Sequence, residues 1–189
     1  MLNVRLLCDG CVTNQADESF SLWQSLNEQH QQAIIDAANH DQLIIDNTSD
    51  ATRFASPEKF AEWLTTKPIS YALTPKDSPN VLSGLIWFVK LALPDEVTDE
   101  MTQQTAGKTK LNTDWTFAIR LYEHARGQRL SYPFMTKVFE YFWRDHPHQA
   151  VWLSTAADNA VAKKIYSKFG FTLIATSNNR AYYLIEPPH

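Results

Sequence analysis

Apolar positions along the chain change period several times, and each change marks an element. From Leu22 to Ala38 (LWQSLNEQHQQAIIDAA), the residues Leu22, Leu26, Ala33, Ile34 and Ala37 fall on one face of a helix. Ser56-Pro57-Glu58-Lys59 joins a polar cap to a proline in the first helical turn, which launches a second helix through Leu64 until Pro68 stops it. Asn3 to Cys8 reads as a short first strand ahead of these helices, and Leu43 to Ile45 as a brief strand or a helix end. Ile69 to Leu73 and Val81 to Leu91 (VLSGLIWFVKL) predict an antiparallel pair, separated by a turn rich in Pro, Lys, Asp, Ser and Asn.

Leu93 to Asn112 then has no apolar period and reads as a loop, either a tolerated surface insertion or a substrate lid. Trp115 to Glu123 (WTFAIRLYE) has the content of a strand, and Tyr132 to Arg144 (YPFMTKVFEYFWR) repeats apolar residues at helical spacing. A strand at Ala150 to Ser154, a helix at Asn159 to Phe169, and a hairpin of Thr172 to Thr176 with Ala181 to Ile185 complete the pattern. Strands mixed with helices in this order predict an α/β fold, and 189 residues fit one domain with a sizeable core.

Charge and cysteine content narrow the classes of partner. There are 17 basic and 21 acidic residues, a net charge of −4, and no block rich in Lys and Arg. That argues against nonspecific binding to nucleic acid or to an anionic membrane. No apolar run reaches the roughly 18 residues of a membrane span, and the N-terminus lacks a basic stretch followed by an apolar one, so a cytoplasmic location is the default expectation. Cys8 and Cys11 form a single C-x-x-C without a second ligand pair nearby, and the next residues (VTNQADE) do not open a helix as a thioredoxin-like motif would. Two reduced thiols near a strand end are expected, and a zinc or redox site is the alternative.

The chemistry concentrates at Arg126-Gly127-Gln128-Arg129-Leu130-Ser131, between a strand and a helix. A loop so placed aims successive backbone N–H groups, together with the positive end of the helix dipole, at an anion. A second block follows at Leu153 to Phe171 (LSTAADNAVAKKIYSKFGF), with Asn159, Ala162, Tyr166, Gly170 and Phe171 in that order. Together the two blocks resemble the GNAT superfamily of acyl-CoA-dependent N-acyltransferases. Its signature loop is Gln/Arg-x-x-Gly-x-Gly/Ala, and a later helix typically carries an Asn, an Ala and a Tyr ahead of a Gly-Phe. The resemblance covers roughly Ile69 to Glu186. It departs from the pattern at Arg129, where the first motif glycine would stand, and at Ser131, which takes the last small position.

The resemblance implies one domain over residues 1–189, with an acyl-CoA-binding core at about 115–171 and N-terminal helices at about 22–66. It implies a mixed, mostly antiparallel, twisted sheet flanked by helices, with a splayed parallel strand pair at the cofactor site. The activity implied is transfer of acetyl from acetyl-CoA, as co-substrate and without a metal, to an amine by direct attack in a ternary complex. A non-catalytic acyl-CoA-binding or protein-interaction module on the same scaffold is the alternative. The expected partners are acetyl-CoA and an amine-bearing acceptor, with the protein a monomer or a homodimer.

Residue by residue, amides from Gly127 to Tyr132, those of Gly127, Gln128, Arg129, Leu130, Ser131 and Tyr132, would cradle the pyrophosphate, with Arg126 adding charge. Backbone groups near Ile119 and Leu121 would hydrogen-bond the pantetheine arm as an added strand. Tyr166 is the implied general acid: a phenol of reference pKa about 10 can protonate a thiolate whose conjugate acid lies near 8.5. It could instead be a packing tyrosine. Asn159 either caps its helix or meets the pantetheine, and Lys163 and Lys164 could approach the nucleotide phosphate or stay solvated. An alkylammonium acceptor needs a base, directly or through water, and Glu123 is the best-placed carboxylate, with His124 next. Tyr71, Trp87, Phe88, Trp115 and Tyr122 could line an acceptor pocket, although core is the simpler assignment for most of them.

Overall fold

The computed structural model describes residues 4–98 and 114–188. Its strands, β1 (Arg5–Thr13), β2 (Ser19–Gln24), β3 (Ile69–Pro75), β4 (Gly84–Lys90), β5 (Trp115–Leu121), β6 (Val151–Ala156), β7 (Thr172–Ser177) and β8 (Arg180–Ile185), follow the order β1-β2-β3-β4-β5-β6-β8-β7 in an eight-stranded mixed sheet, with helices between them. The chain divides into two compact units, Met1–Val89 with Ile119–Val138, and Lys90–Ala118 with Phe139–His189.

The first unit opens with β1 (Arg5–Thr13) and β2 (Ser19–Gln24), an antiparallel ribbon. Here the structure corrects the sequence reading twice. The first strand is longer than predicted, and Leu22, assigned above to a helix, lies fully buried in β2 opposite Leu73. An apolar spacing of four residues suits a helix, but pairing with β3 buries Phe20, Ser21 and Leu22 in succession and overrides it. Ser25, at φ 72°, then turns the chain, and α1 (Glu28–His40) starts only after Asn27, whose Oδ1 accepts the His30 N–H at 2.8 Å.

Leu43 to Ile45 proves helical, within α2 (Gln42–Asn47), and α3 (Asp50–Arg53) follows. The second predicted helix forms as α4 (Pro57–Leu64), with Ser56 Oγ accepting the Lys59 N–H and proline in the first turn. Next, β3 (Ile69–Pro75) and β4 (Gly84–Lys90) form the expected antiparallel pair.

Cys8 and Cys11 are bonded to each other, contrary to the expectation of two reduced thiols. The bond closes a stretch where β1 twice loses register with β2, on either side of Cys8, and Gly10 takes a φ of 59°. Asp9, inside that stretch, accepts from Ser21 Oγ, which holds its carboxyl below the usual range, with Lys76 nearby adding to the effect.

The second unit is built on β5 (Trp115–Leu121), α5 (Ser131–Asp145), β6 (Val151–Ala156), α6 (Ala160–Phe169), β7 (Thr172–Ser177) and β8 (Arg180–Ile185), with the ends of β5 and α5 belonging to the first unit. The predicted closing hairpin is present, with Asn178 and Asn179 at φ 49° and 59° in its turn. Phe117, Phe139 and Phe171 pack ring against ring. Leu93 and Val97 are buried with Ala150, Trp152, Ala175, Tyr182 and Leu184. The start of the predicted polar loop is therefore core, with residues 95–98 helical, while 99–112 lie outside the described residues.

His30 on α1 is fully buried, and its Nε2 lies 2.9 Å from the Pro79 carbonyl. A carbonyl only accepts, so Nε2 carries the hydrogen and Nδ1, buried without a partner, stays bare. Burial pushes this imidazole below its ordinary pKa, the carbonyl opposing only in part. As pH falls through about 6.5, the unfolded chain protonates this group more readily than the folded one, so stability drops in that direction. Denaturant melts from about pH 8 to about pH 5 should show stability declining toward acid, and His30→Gln should flatten the decline. Unchanged pH dependence in His30→Gln would show that other groups control it.

Candidate active site

Between β5 and α5 the chain makes a short turn at Glu123–Ala125, arches over Arg126 to Arg129, and enters the helix at Ser131. Ala125 and Leu130 are fully buried at the two feet of the arch, while Gly127 and Arg129 are exposed. Gly127 has a φ of 77° and Arg129 a φ of 57°. Left-handed residues in such a turn let successive N–H groups converge into an anion-binding concavity. Among the described residues, none of the amides of Gly127 to Ser131 donates to a protein acceptor. Pro133, in the first turn of α5, brings no N–H of its own. The loop thus presents a row of unsatisfied donors at the positive end of a 15-residue helix.

Arg129 stands where the motif of the resemblance has glycine, and the conformation explains that preference. A left-handed φ costs a residue with a Cβ about 1–2 kcal/mol. Arg129 is exposed, and its guanidinium has no partner among the described protein groups.

Arg126 behaves differently from the expectation that its charge serves a ligand. Its Nε donates to the Leu121 carbonyl at 2.9 Å, and its two Nη atoms bind both oxygens of Asp41. The guanidinium is committed to the protein, and the backbone N–H of Arg126 donates to the Glu123 carbonyl. Arg120 makes a parallel arrangement: it grips Asp50 through Nε and Nη2, donates from Nη1 to the Ile119 carbonyl, and lies over the Trp87 ring. Asp50 also holds Arg53, whose pKa is lowered mainly by burial. The carbonyls of Ile119 and Leu121, expected above to be open to a ligand, thus already accept from arginines.

Other tethers surround the loop. Gln128 accepts from Asn14 Nδ2 at 2.9 Å and donates to the His124 carbonyl at 2.8 Å. His124 Nε2 lies 3.1 Å from the hydroxyl of fully buried Ser83. Glu123 is exposed, and its carboxylate has no partner among the described residues. Tyr122 is buried, and burial reinforced by the Asp50 charge pushes its phenol far above the ordinary range. Tyr71, Trp87, Phe88 and Trp115 are buried as well, so all of the candidate pocket aromatics are core.

Sequence reasoning missed Asn14, Asp41 and Asp50. Asp41 carries a local signal, since it caps α2 by accepting the Ile44 N–H, but its second role toward Arg126 spans 85 residues. Nothing local announces Asn14 or Asp50 as supports of a distant loop.

In the second unit, the parallel register of β5 with β6 places Trp115 opposite Val151 and Thr116 opposite Trp152, at the N-terminal ends of both strands. Asn159 takes the capping role: its Oδ1 accepts the Ala162 N–H at 3.0 Å. Lys163 Nζ folds back onto the Ala157 carbonyl at 3.0 Å, and Lys164 is exposed. Tyr166 is half-buried, against the rings of Phe117, Phe171 and Tyr183. Gly170 ends the helix at φ 118°, and Phe171 follows into the core. No cluster of three or more His, Cys, Asp or Glu side chains among the described residues could hold a metal ion.

No family model matches this sequence, and no curated protein is similar to it in sequence. Solved structures are similar in fold. Spermidine N-acetyltransferase from Vibrio cholerae, in complex with CoA and spermine, superimposes with a TM-score of 0.62 at 12% identity over 87% of this chain and 92% of its own. A GNAT-family acetyltransferase from Listeria monocytogenes gives 0.60 at 15% identity over 93% and 98%. RimL, the ribosomal L7/L12 α-N-protein acetyltransferase, gives 0.62 at 11% identity over 97% and 94%. The eight-stranded mixed sheet, its parallel β5–β6 pair and the helix-opening loop after β5 thus give this chain the fold of the GNAT acetyltransferases.

Proposed function

We propose that the protein is an N-acetyltransferase that carries an acetyl group from acetyl-CoA to an amine by direct attack. The observation that carries this reading is the row of unpartnered amides from Gly127 to Ser131 at the start of α5, on a fold whose solved examples include an enzyme with CoA bound. A pyrophosphate fits such donors without requiring any ordering of side chains. Arg129 then supplies the local charge that Arg126, neutralised by Asp41, does not. Asn159 and Lys163 contribute by shaping the start of α6, since their polar atoms are used on the helix and on the Ala157 carbonyl. At Ile119 and Leu121 any contact with the pantetheine arm runs beside carbonyls that the two arginines already hold.

In the reaction, the amine nitrogen forms a bond to the thioester carbonyl carbon, the carbon–sulfur bond breaks, and the sulfur leaves as a thiolate. Tyr166 donates a proton to that sulfur, and the proton that the attacking nitrogen sheds as the amide forms returns to the phenolate through water. Its packing among Phe117, Phe171 and Tyr183 limits the rotamers of the ring and so fixes where the hydroxyl can reach. Glu123, exposed just ahead of the loop, takes the proton from the incoming ammonium, directly or through water. The solved structures of this fold act on substrates as different as spermidine and a ribosomal protein, so the fold leaves the acceptor open.

Two variants test the reading. Tyr166→Phe, assayed by thiol release with a competent acceptor, should lower kcat about 100-fold or more while leaving acetyl-CoA affinity within about twofold. An unchanged kcat would remove Tyr166 from the chemistry. Arg129→Gly relieves the left-handed strain and should raise stability by about 1 kcal/mol. Calorimetry should at the same time find CoA bound some three- to tenfold more weakly, because the phosphate loses a cation. Tighter binding in Arg129→Gly would mean that the side chain obstructs the loop.

A further inference from the structure

Asn14 directly follows β1, 114 residues before Gln128, and only 8% of it is exposed. Every hydrogen-bonding position of its side chain is used. Oδ1 accepts the N–H groups of Ala16 and Glu18 at 2.9 and 3.0 Å, which folds the β1–β2 turn. Nδ2 donates to Glu18 Oε2 at 2.6 Å and to Gln128 Oε1 at 2.9 Å. Three of these bonds stay inside the turn, and the fourth leaves it for the loop. Gln128 passes the connection on, since its Nε2 donates to the His124 carbonyl at the foot of the same arch.

From this arrangement we infer that Asn14 is a positioning residue for the anion-binding loop: through Gln128 it holds the Gly127–Leu130 backbone in the conformation that aims the amides at one point. The inference rests on the proposed acyl-CoA reading for its consequence on binding, but the clamp itself is a property of the ligand-free protein. The loop needs such a clamp. Gly127 has no neighbour within 4 Å of where a Cβ would stand, and Arg129 occupies a disfavoured φ, so the segment between them gains little from its own packing. Arg126 anchors its first residue and buried Leu130 its last. Gln128 is the point between, and its amide group is the only part of the arch tied to both β1–β2 and the turn before the loop among the described residues. A row of donors is worth most to an anion when it is already in place, because binding then incurs no ordering cost.

The test uses the full chain with Asn14→Asp, Gln128→Met and the two combined. Asn14→Asp keeps the oxygen that accepts from Ala16 and Glu18, and removes both Nδ2 donations, to Glu18 inside the turn and to Gln128 outside it. Gln128→Met leaves the β1–β2 turn untouched, so it stands as the control if the first variant folds poorly. Nitrogen-15 relaxation on the ligand-free proteins should give order parameters near 0.85 at Gly127, Gln128 and Arg129 in the parent, falling below about 0.6 in each variant. The amides of Leu22 and Leu73 should not change. CoA affinity should fall some five- to tenfold in either single variant, and by no more in the double. Loop amides that stay ordered in both variants would overturn the inference, and so would disorder that spreads equally into Leu22 and Leu73. Relaxation is read without ligand, so a parent protein that failed to bind CoA would refute the acyltransferase reading while the order parameters still decided the clamp.

Discussion

Everything proposed for the site depends on one ion pair, Arg126 with Asp41. Arg126 is the first residue of the arch, and its guanidinium binds the Asp41 carboxylate at both oxygens and the Leu121 carbonyl with the remaining Nε. Both side chains are partly buried, Asp41 the more so, so removing one partner would leave a partly desolvated charge behind. Asp41 also caps α2, and the pair therefore ties the end of β5 and the start of the loop to the helical segment that begins at Glu28. With that foot fixed and Leu130 buried at the other end, the backbone between them can direct its donors outward.

The division of labour between the arginines follows from this. Arg120 and Arg126 are satisfied inside the protein, each by a carboxylate and by a carbonyl on β5. They hold strand β5 at its end and occupy two of its carbonyls. Arg129 is exposed, carries no protein partner among the described residues, and sits in a backbone conformation that glycine would take with less strain. A side chain kept at a strained position points to a use for that side chain, and a phosphate above the loop is the use that fits the neighbouring amides.

The elements that local chemistry determines could be read in advance. The Ser56–Pro57 start of α4, the antiparallel run of β3 and β4, the strand before the loop, and the closing hairpin are each specified by a cap, a turn or a period, and each formed where expected. The readings that failed turned on contacts distant in sequence. Leu22 and Leu26 have helical spacing, but strand pairing with β3 claims Leu22. Leu93 and Val97 looked like loop because their partners, Trp152 and Tyr182, come more than fifty residues later. At the site, the position of the loop was legible because a strand-to-helix junction is a local event. The fate of the Arg126 charge was not, because Asp41 and Asn14 offer only the cap and turn signals that polar residues give in many places.

The most direct measurement of the central claim is calorimetric titration of the protein with acetyl-CoA, set against acetyl-pantetheine, which lacks the pyrophosphate, and an adenine nucleotide, which lacks the thioester arm. The account predicts saturable one-to-one binding of acetyl-CoA, with acetyl-pantetheine weaker by at least about tenfold because it leaves the Gly127–Ser131 amides unfilled. Equal affinity for acetyl-CoA and acetyl-pantetheine, or no binding of either, would contradict it.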